Sequence, residues 1–251
     1  MSGHSKWSSI KHKKGAADAK RGQLFSKLAR AIIVASREGG PDPDGNLALQ
    51  NAIEKAREAS MPKDNIERAI ARGAGAGADT EAYEHVTYEG YGPAGVAVLV
   101  EALTDNRNRT ASDVRHIFSK IDGNLGTSGS VAWLFERKGV ILVDADTADE
   151  DEVTLAAADA GAEDVALDGS TLQVTTWPED LAAVRAAIAA AGISYESAEL
   201  TMVPKTTVRV DDEAAAKKLL RLMDALEDND DVQGVYANFD IPQQVLETVA
   251  S

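Results

Sequence analysis

The sequence predicts a multidomain α+β protein. It has an N-terminal three-helix domain followed by two α/β sandwich-type domains, the last ferredoxin-like in its βαββαβ order and inserted into the middle one. Three observations carry that expectation. Helical periodicity is confined to residues 18–72. An alternation of glycine with alanine, Gly73-Ala-Gly-Ala-Gly-Ala-Asp-Thr80, then divides the helical region from a strand-rich one and has the composition of a flexible linker, 73–80. Beyond it, a self-contained unit at 139–204 separates two fragments, 81–138 and 205–240, and the second is too short to bury a core alone.

From Asp18 to Arg37 the apolar positions Leu24, Leu28 and Ile32 recur every four residues, while Lys20, Lys27, Arg30 and Arg37 form a second face of the same helix. Gly39-Gly40-Pro41-Asp42-Pro43 ends it. A second helix carries Leu49, Ile53 and Ala56 on its buried face. A third is expected to start with Pro62 at its first position, to bury Ile66, Ala69 and Ile70, and to close with Gly73 as its cap. Tyr83–Glu89 and Val96–Leu103 have strand composition, Thr110–Ile121 has helical spacing with Asn108 or Thr110 as cap, and Val131–Phe135 reads as a strand, a ββαβ run.

The inserted unit is expected to run strand Gly139–Val143, helix Asp149–Ala160 closed by Gly161, and strands around Val165 and at Thr171–Thr176 joined by Asp168-Gly169. Helix Pro178–Ala191, closed by Gly192, and strand Tyr195–Val203 complete it. Strand Thr206–Val210, helix Asp212–Leu226 and strand Val232–Asn238 then return to the incomplete ββαβ sheet.

With 251 residues the chain is long enough for one to three domains. The absence of cysteine excludes a disulfide scaffold and any thiolate metal site. Apolar runs such as Val96–Val100 fall far short of the roughly 18 residues that span a bilayer, so no membrane partner is expected. Neither an apolar h-region nor an Arg-rich amphipathic presequence is read at the start, which predicts a cytoplasmic protein. Charge is unevenly spread. Residues 1–37 hold nine Lys/Arg and one acid, a balance of plus 8, whereas residues 139–251 hold six Lys/Arg and 24 Asp/Glu, a balance of minus 18. A basic end on an acidic body is the asymmetry of a protein that meets a polyanion with one part only. The competing account is a cationic tail that docks on the protein's own acidic domains.

Catalytic patterns fail on context. Gly90-Tyr-Gly-Pro-Ala-Gly95 matches G-x-G-x-x-G literally but lies between two strands, where a phosphate site needs a helix N-terminus. His4, His12, His85 and His116 are scattered, and Ser128 and Ser130 form no nucleophile elbow. No catalytic residue, metal, cofactor or small-molecule substrate is expected. Of two acidic runs, Asp149–Glu152 sits at a helix start, where acids complement the dipole. Glu227–Asp231 follows a helix, where they do not, and is a candidate contact site.

Residues 1–17 form a predicted basic mobile tail, in which Lys6, Trp7, Lys11, His12, Lys13 and Lys14 combine phosphate contacts with one stacking aromatic. Lys20, Arg21, Lys27, Arg30 and Arg37 extend the basic surface along the first helix. Within Thr104-Asp-Asn-Arg-Asn-Arg-Thr110, Arg107 and Arg109 at a helix start either bind an anion or pair with surrounding acids and fix the interdomain geometry.

Five stretches together resemble the YebC/PmpR family, which includes the mitochondrial translational activator of cytochrome oxidase subunit one. They are Gly3-His-Ser-Lys-Trp7 with Ile10-Lys-His-Lys-Lys14, Met61-Pro-Lys-Asp-Asn-Ile-Glu-Arg-Ala-Ile70, Tyr88-Glu-Gly-Tyr-Gly-Pro93, Thr104–Thr110 and Asp224-Ala-Leu-Glu-Asp-Asn-Asp-Asp-Val-Gln233. The resemblance implies three domains, the third inserted into the second, and a non-enzymatic role in gene expression. Bacterial members carry the label of transcriptional regulator and some are described as DNA-binding, while the mitochondrial relative and some bacterial members act on translation at the ribosome. The resemblance leaves DNA or RNA open; a basic tail that orders only on binding and the lack of a base-reading recognition helix favour ribosomal RNA as partner, with duplex DNA bound by the helical domain as the alternative. Against duplex reading, the second and third helices mix Lys55, Arg57, Lys63, Arg68 and Arg72 with Glu54, Glu58, Asp64 and Glu67 and are nearly neutral.

Overall fold

The computed structural model describes residues 18–75 and 83–250. Helices α1 (Asp18–Gly39), α2 (Leu47–Glu58) and α3 (Lys63–Gly73) build a small core from Ile32, Ile33, Leu49, Ile53, Ala56, Ile66 and Ala69. Buried Asn46 fixes the corner between the first two. Its Oδ1 accepts from Leu49 N at 3.1 Å as the α2 cap, while its Nδ2 donates to Ala35 O at 2.7 Å and Gly40 O at 2.8 Å. Two sequence expectations are corrected at α3. Pro62 is the cap residue itself, its ψ of 138° being extended, and the helix starts at Lys63. Gly73 is the last helical residue, and Ala74 is the cap. Close packing explains the glycine, because a Cβ there would lie 2.4 Å from Ile33 O and 2.7 Å from Ser36 Cβ on α1.

The second region begins with the antiparallel pair β1 (Glu84–Tyr91) and β2 (Ala97–Thr104), joined through Gly92–Gly95. That turn closes by Gly92 N donating to Val96 O at 2.8 Å, with Ala94 at φ 59° and Gly95 at φ 73°. Helix α4 (Arg107–Lys120) returns the chain to β3 (Asn124–Leu125), a two-residue edge strand that the sequence reading did not contain. The expected strand at Val131–Phe135 is instead a 3-10 turn, Ala132–Leu134, leading into β4 (Phe135–Asp144). The N–H groups of Val131 and Ala132 are claimed by the Glu89 carboxylate, each at 2.7 Å, and so cannot enter a ladder.

Strand β4 opens the ferredoxin-like unit, which continues through α5 (Glu150–Asp159), β5 (Ala162–Asp168), β6 (Thr171–Thr176), α6 (Leu181–Ala190) and β7 (Ser197–Pro204). Its sheet has the order β5-β6-β4-β7, all antiparallel. Both helices cover one face around Ile141, Val143, Val153, Ala157, Leu172, Val174, Val184 and Ile188. The chain then makes β8 (Val208–Arg209), α7 (Glu213–Glu227), β9 (Val232–Ala237), β10 (Phe239–Asp240) and α8 (Gln243–Ala250). Strand β9 pairs antiparallel with β2, completing a sheet of order β3-β1-β2-β9. Strand β8, expected in that sheet, pairs only with β10, in parallel. The final helix had not been anticipated.

Strand β2 is buried on both faces, which accounts for its unbroken apolar run. Val98 and Val100 meet α4 and α7 through Val114, Phe118, Leu219, Leu222 and Met223. Ala97 and Leu99 meet Val131 and Phe135, with Met202 of β7 and Tyr236 of β9 packed alongside.

Candidate nucleic-acid interface

Residues Lys6, Trp7, Lys11, His12, Lys13 and Lys14 lie outside the described residues, and Lys20 falls at the start of α1. Arg21 is exposed. Lys27 and Arg30, one turn apart on α1, both face the loop that follows α7. Lys27 Nζ donates to Glu227 O, and Arg30 Nη1 donates to Asp230 O at 2.5 Å and lies 3.4 Å from Asp231 Oδ1. Gln23 Nε2 reaches Asp230 Oδ1 at 3.4 Å. Further along the helix, Arg37 Nη2 donates to Tyr83 O at 2.8 Å, and the Arg30 guanidinium lies 5.2 Å from the centre of the Tyr83 ring.

The acidic run after α7 is thereby explained. Acids at a helix C-terminus oppose the dipole, and the carbonyl groups there lack helical partners. Lys27 and Arg30 supply cations and donors to that end.

Asp231 organises the other side of the loop. It is buried, and its Oδ2 accepts from Thr110 Oγ1 at 2.7 Å, Arg109 Nη2 at 2.9 Å and Thr104 Oγ1 at 3.2 Å, while its backbone oxygen accepts from Leu103 N at 2.7 Å. Burial alone would push its carboxyl up, but the hydrogen bonds from Thr110, Arg109 and Thr104 and the Arg109 charge hold it below the usual carboxylate range. Arg109 also binds Asp105 Oδ1 at 2.6 Å, and its pKa is raised by hydrogen bonds to Asp231 and Asp105. Arg107 stands 3.7 Å from Glu84 Oε2. Both arginines thus lie against acids, Arg109 tightly and Arg107 across 3.7 Å. The cap of α4 is Asn106, whose Oδ1 accepts from Arg109 N at 3.1 Å, instead of Asn108 or Thr110.

Glu89 is a second buried acid whose role no spacing indicated. Its carboxylate accepts from the N–H groups of Gly129, Val131 and Ala132 at 2.6, 2.7 and 2.7 Å. Burial raises its pKa, but these three donors outweigh burial and lower it. The loop it holds carries Trp133 and meets Tyr91 at the end of β1, and the polar ends of both side chains donate to Ser130 O at 3.1 Å. A motif containing Glu89 was visible. That a loop 40 residues away would wrap around it was not.

On α3, Lys63 faces Glu67 at 3.5 Å, and Arg68 donates to Asp64 O at 3.1 Å and to Asn65 Oδ1. Among the described residues no group of three His, Asp or Glu side chains is placed to hold a metal ion, and no helix is long and apolar enough to cross a membrane.

Family models match nearly the whole chain: the TACO1/YebC protein N-terminal domain over residues 5–76, and the TACO1/YebC second and third domain over residues 83–239. The chain belongs to the YebC/TACO1 family. Curated relatives named "Probable transcriptional regulatory protein" include those of Rubrobacter xylanophilus, 64% identical over 250 residues, and Syntrophobacter fumaroxidans, 57% identical over 250, each with 100% of both chains covered. The crystal structure of a conserved hypothetical protein from Aquifex aeolicus is 52% identical, with a TM-score of 0.80 over 91% of this chain and 94% of that one. The YebC fold, helical region first and two sheet-containing α/β regions after, is thus common to both.

Proposed function

We propose that this chain is a non-enzymatic, cytoplasmic, nucleic-acid-binding regulator of gene expression, and that it works as a ribosome-associated translation factor contacting ribosomal RNA through its basic N-terminal region. The observation that carries this reading is the contrast between the two basic parts of the helical region. Residues 1–37 concentrate nine Lys/Arg against one acid, whereas on α3, the helix a helix-turn-helix would insert into the major groove, Lys63 pairs with Glu67 and Arg68 donates to Asp64 O and Asn65 Oδ1 along the helix's own surface. A cationic run without a free reading helix suits contact with the phosphates and shape of folded RNA better than readout of base edges in duplex DNA. The second reading, a DNA-binding transcriptional regulator using the helical domain, is favoured by the name its curated relatives carry.

Crosslinking of the tagged protein in cells, followed by sequencing of the attached RNA and DNA, separates the two. Enrichment of ribosomal RNA that disappears in a Lys11→Glu/Lys13→Glu variant is the expected result. Discrete promoter DNA with ribosomal RNA at background would replace the first reading by the second. In vitro, neutralisation of about five phosphates gives a log–log salt slope near minus 3.5 on single strands and near minus 4.5 on duplex. The charge-reversed variant is expected to keep its fold, because the described cores are assembled from Phe25 onward.

A further inference from the structure

The acidic loop 227–231 stands where a nucleic-acid backbone would stand if Lys27 and Arg30 were to meet phosphate. The two side chains point their donors at oxygen atoms of that loop, two backbone carbonyls and the Asp231 carboxylate. Four acids, Glu227, Asp228, Asp230 and Asp231, crowd the negative end of the α7 dipole there. To a lysine and an arginine, such a cluster of anionic and carbonyl oxygens offers what a phosphodiester offers: several acceptors in a negative field.

The surrounding contacts permit exchange. Among the described residues, the core of the helical region is made only of residues from that region, and it reaches the rest of the molecule through a set of polar contacts. They comprise Gln23, Lys27 and Arg30 on the loop, Arg37 on Tyr83 O, Lys55 with Glu199 at 3.4 Å, and Glu54 with Arg185 at 3.7 Å. An interface held by partly exposed ion pairs weakens with salt and yields to a competing polyanion in a way that an apolar interface does not.

We propose that loop 227–231 is an internal polyanion mimic that competes with nucleic acid for the Lys27–Arg30 face of α1, holding that face closed until a phosphate backbone displaces it. This rests on the nucleic-acid reading above and adds its regulation. Asp231, bound by Arg109 and two threonines, stays with the α/β body, while the exposed acids Asp228 and Asp230 set the field the competitor must overcome.

The test is fluorescence anisotropy of the full chain with a labelled uridine oligoribonucleotide and with a labelled mixed-sequence DNA duplex, each across a salt series. Three proteins are compared: wild type, Asp228→Asn/Asp230→Asn, and Asp151→Asn/Glu152→Gln. The last makes the same change of net charge at exposed residues of α5. The loop variant is expected to bind on the order of fivefold more tightly than the control variant. Its salt slope on the oligoribonucleotide should be steeper by about 1.4 as two more cations engage phosphate. Adding Lys27→Ala/Arg30→Ala should remove that gain. If wild type binds but the loop and control variants gain equally, or if the gain survives loss of Lys27 and Arg30, the mimic is overturned and the nucleic-acid reading stands. If none of the proteins binds either probe, the nucleic-acid reading fails and the mimic with it. Circular dichroism of each variant shows that the fold is intact.

Discussion

The middle sheet meets its two neighbours in opposite ways. Against the inserted unit it presents Ala97, Leu99 and Tyr236, closed over by Val131, Phe135 and Met202. Against the helical region it presents Tyr83 and the acidic loop, and the contacts are Arg30, Arg37, Lys27 and Gln23. Apolar burial of the first kind is insensitive to salt and holds one geometry. Charge pairing of the second kind has a strength that depends on ionic strength and on which other anions are near. The inserted unit and the middle sheet are thus joined by an apolar cluster, whereas the helical region is joined through contacts that, on the proposal above, a polyanion displaces.

The largest effect should come from the apolar side. Phe135→Ala removes a side chain that is only 5% exposed and is expected to cost about 3 to 5 kcal/mol, read by urea denaturation. A loss below 1 kcal/mol would break the comparison at once. On the polar side, Asp231→Ala leaves Thr104, Thr110 and Arg109 without their shared acceptor and should cost about 2 to 3 kcal/mol. It should also loosen the helical region, seen as faster hydrogen exchange in α1.

Acid provides a smaller and graded probe. Asp231 and Glu89 both have carboxyl pKa values held below the ordinary range, so each contributes stability that is fully present above that range and lost as pH falls through the lowered value. Melting temperature should stay flat above about pH 5 and decline below about pH 4, where unfolded carboxylates take up protons first. Glu89→Gln or Asp231→Asn should flatten that decline, and a profile as steep as that of wild type would argue against the buried carboxylates as its source. The smallest effect belongs to Lys55→Ala, which breaks a half-exposed pair with Glu199 and should alter stability by no more than about 0.5 kcal/mol.

Much of this organisation was legible beforehand, for identifiable reasons. Leu49, Ile53 and Ala56 announced α2 by their spacing, and the turn pair Asp168-Gly169 announced the β5–β6 hairpin, because each signal is local. The insertion could be reasoned from incompleteness, since a βαβ fragment without a partner strand must find one. What could not be read was anything set by residues distant in sequence. Val131–Phe135 has strand composition, and only the Glu89 carboxylate, 42 residues away from Val131, turns its first part into a 3-10 turn. Gly73 looked like a cap because nothing local shows the Ile33 carbonyl pressed against it. The cationic face of α1 was visible as periodicity, and Arg107 and Arg109 as a cluster. That Asp231 would collect Arg109 and Arg30 across more than 100 residues depends on the return of β9 to β2.

That return bears on the order in which the molecule assembles. Strands β2 and β9 are neighbours in space but lie on either side of the inserted unit, and Phe135 and Pro204, where the chain enters and leaves it, are register partners. Once β4 and β7 have paired, the ends of a 70-residue excursion are held about 5 Å apart, so the search for the β2–β9 contact runs over a much shorter effective loop. Early closure of the inserted unit would therefore speed the middle sheet, and a lesion in its β4–β7 ladder is expected to slow folding of that sheet before it weakens the finished one.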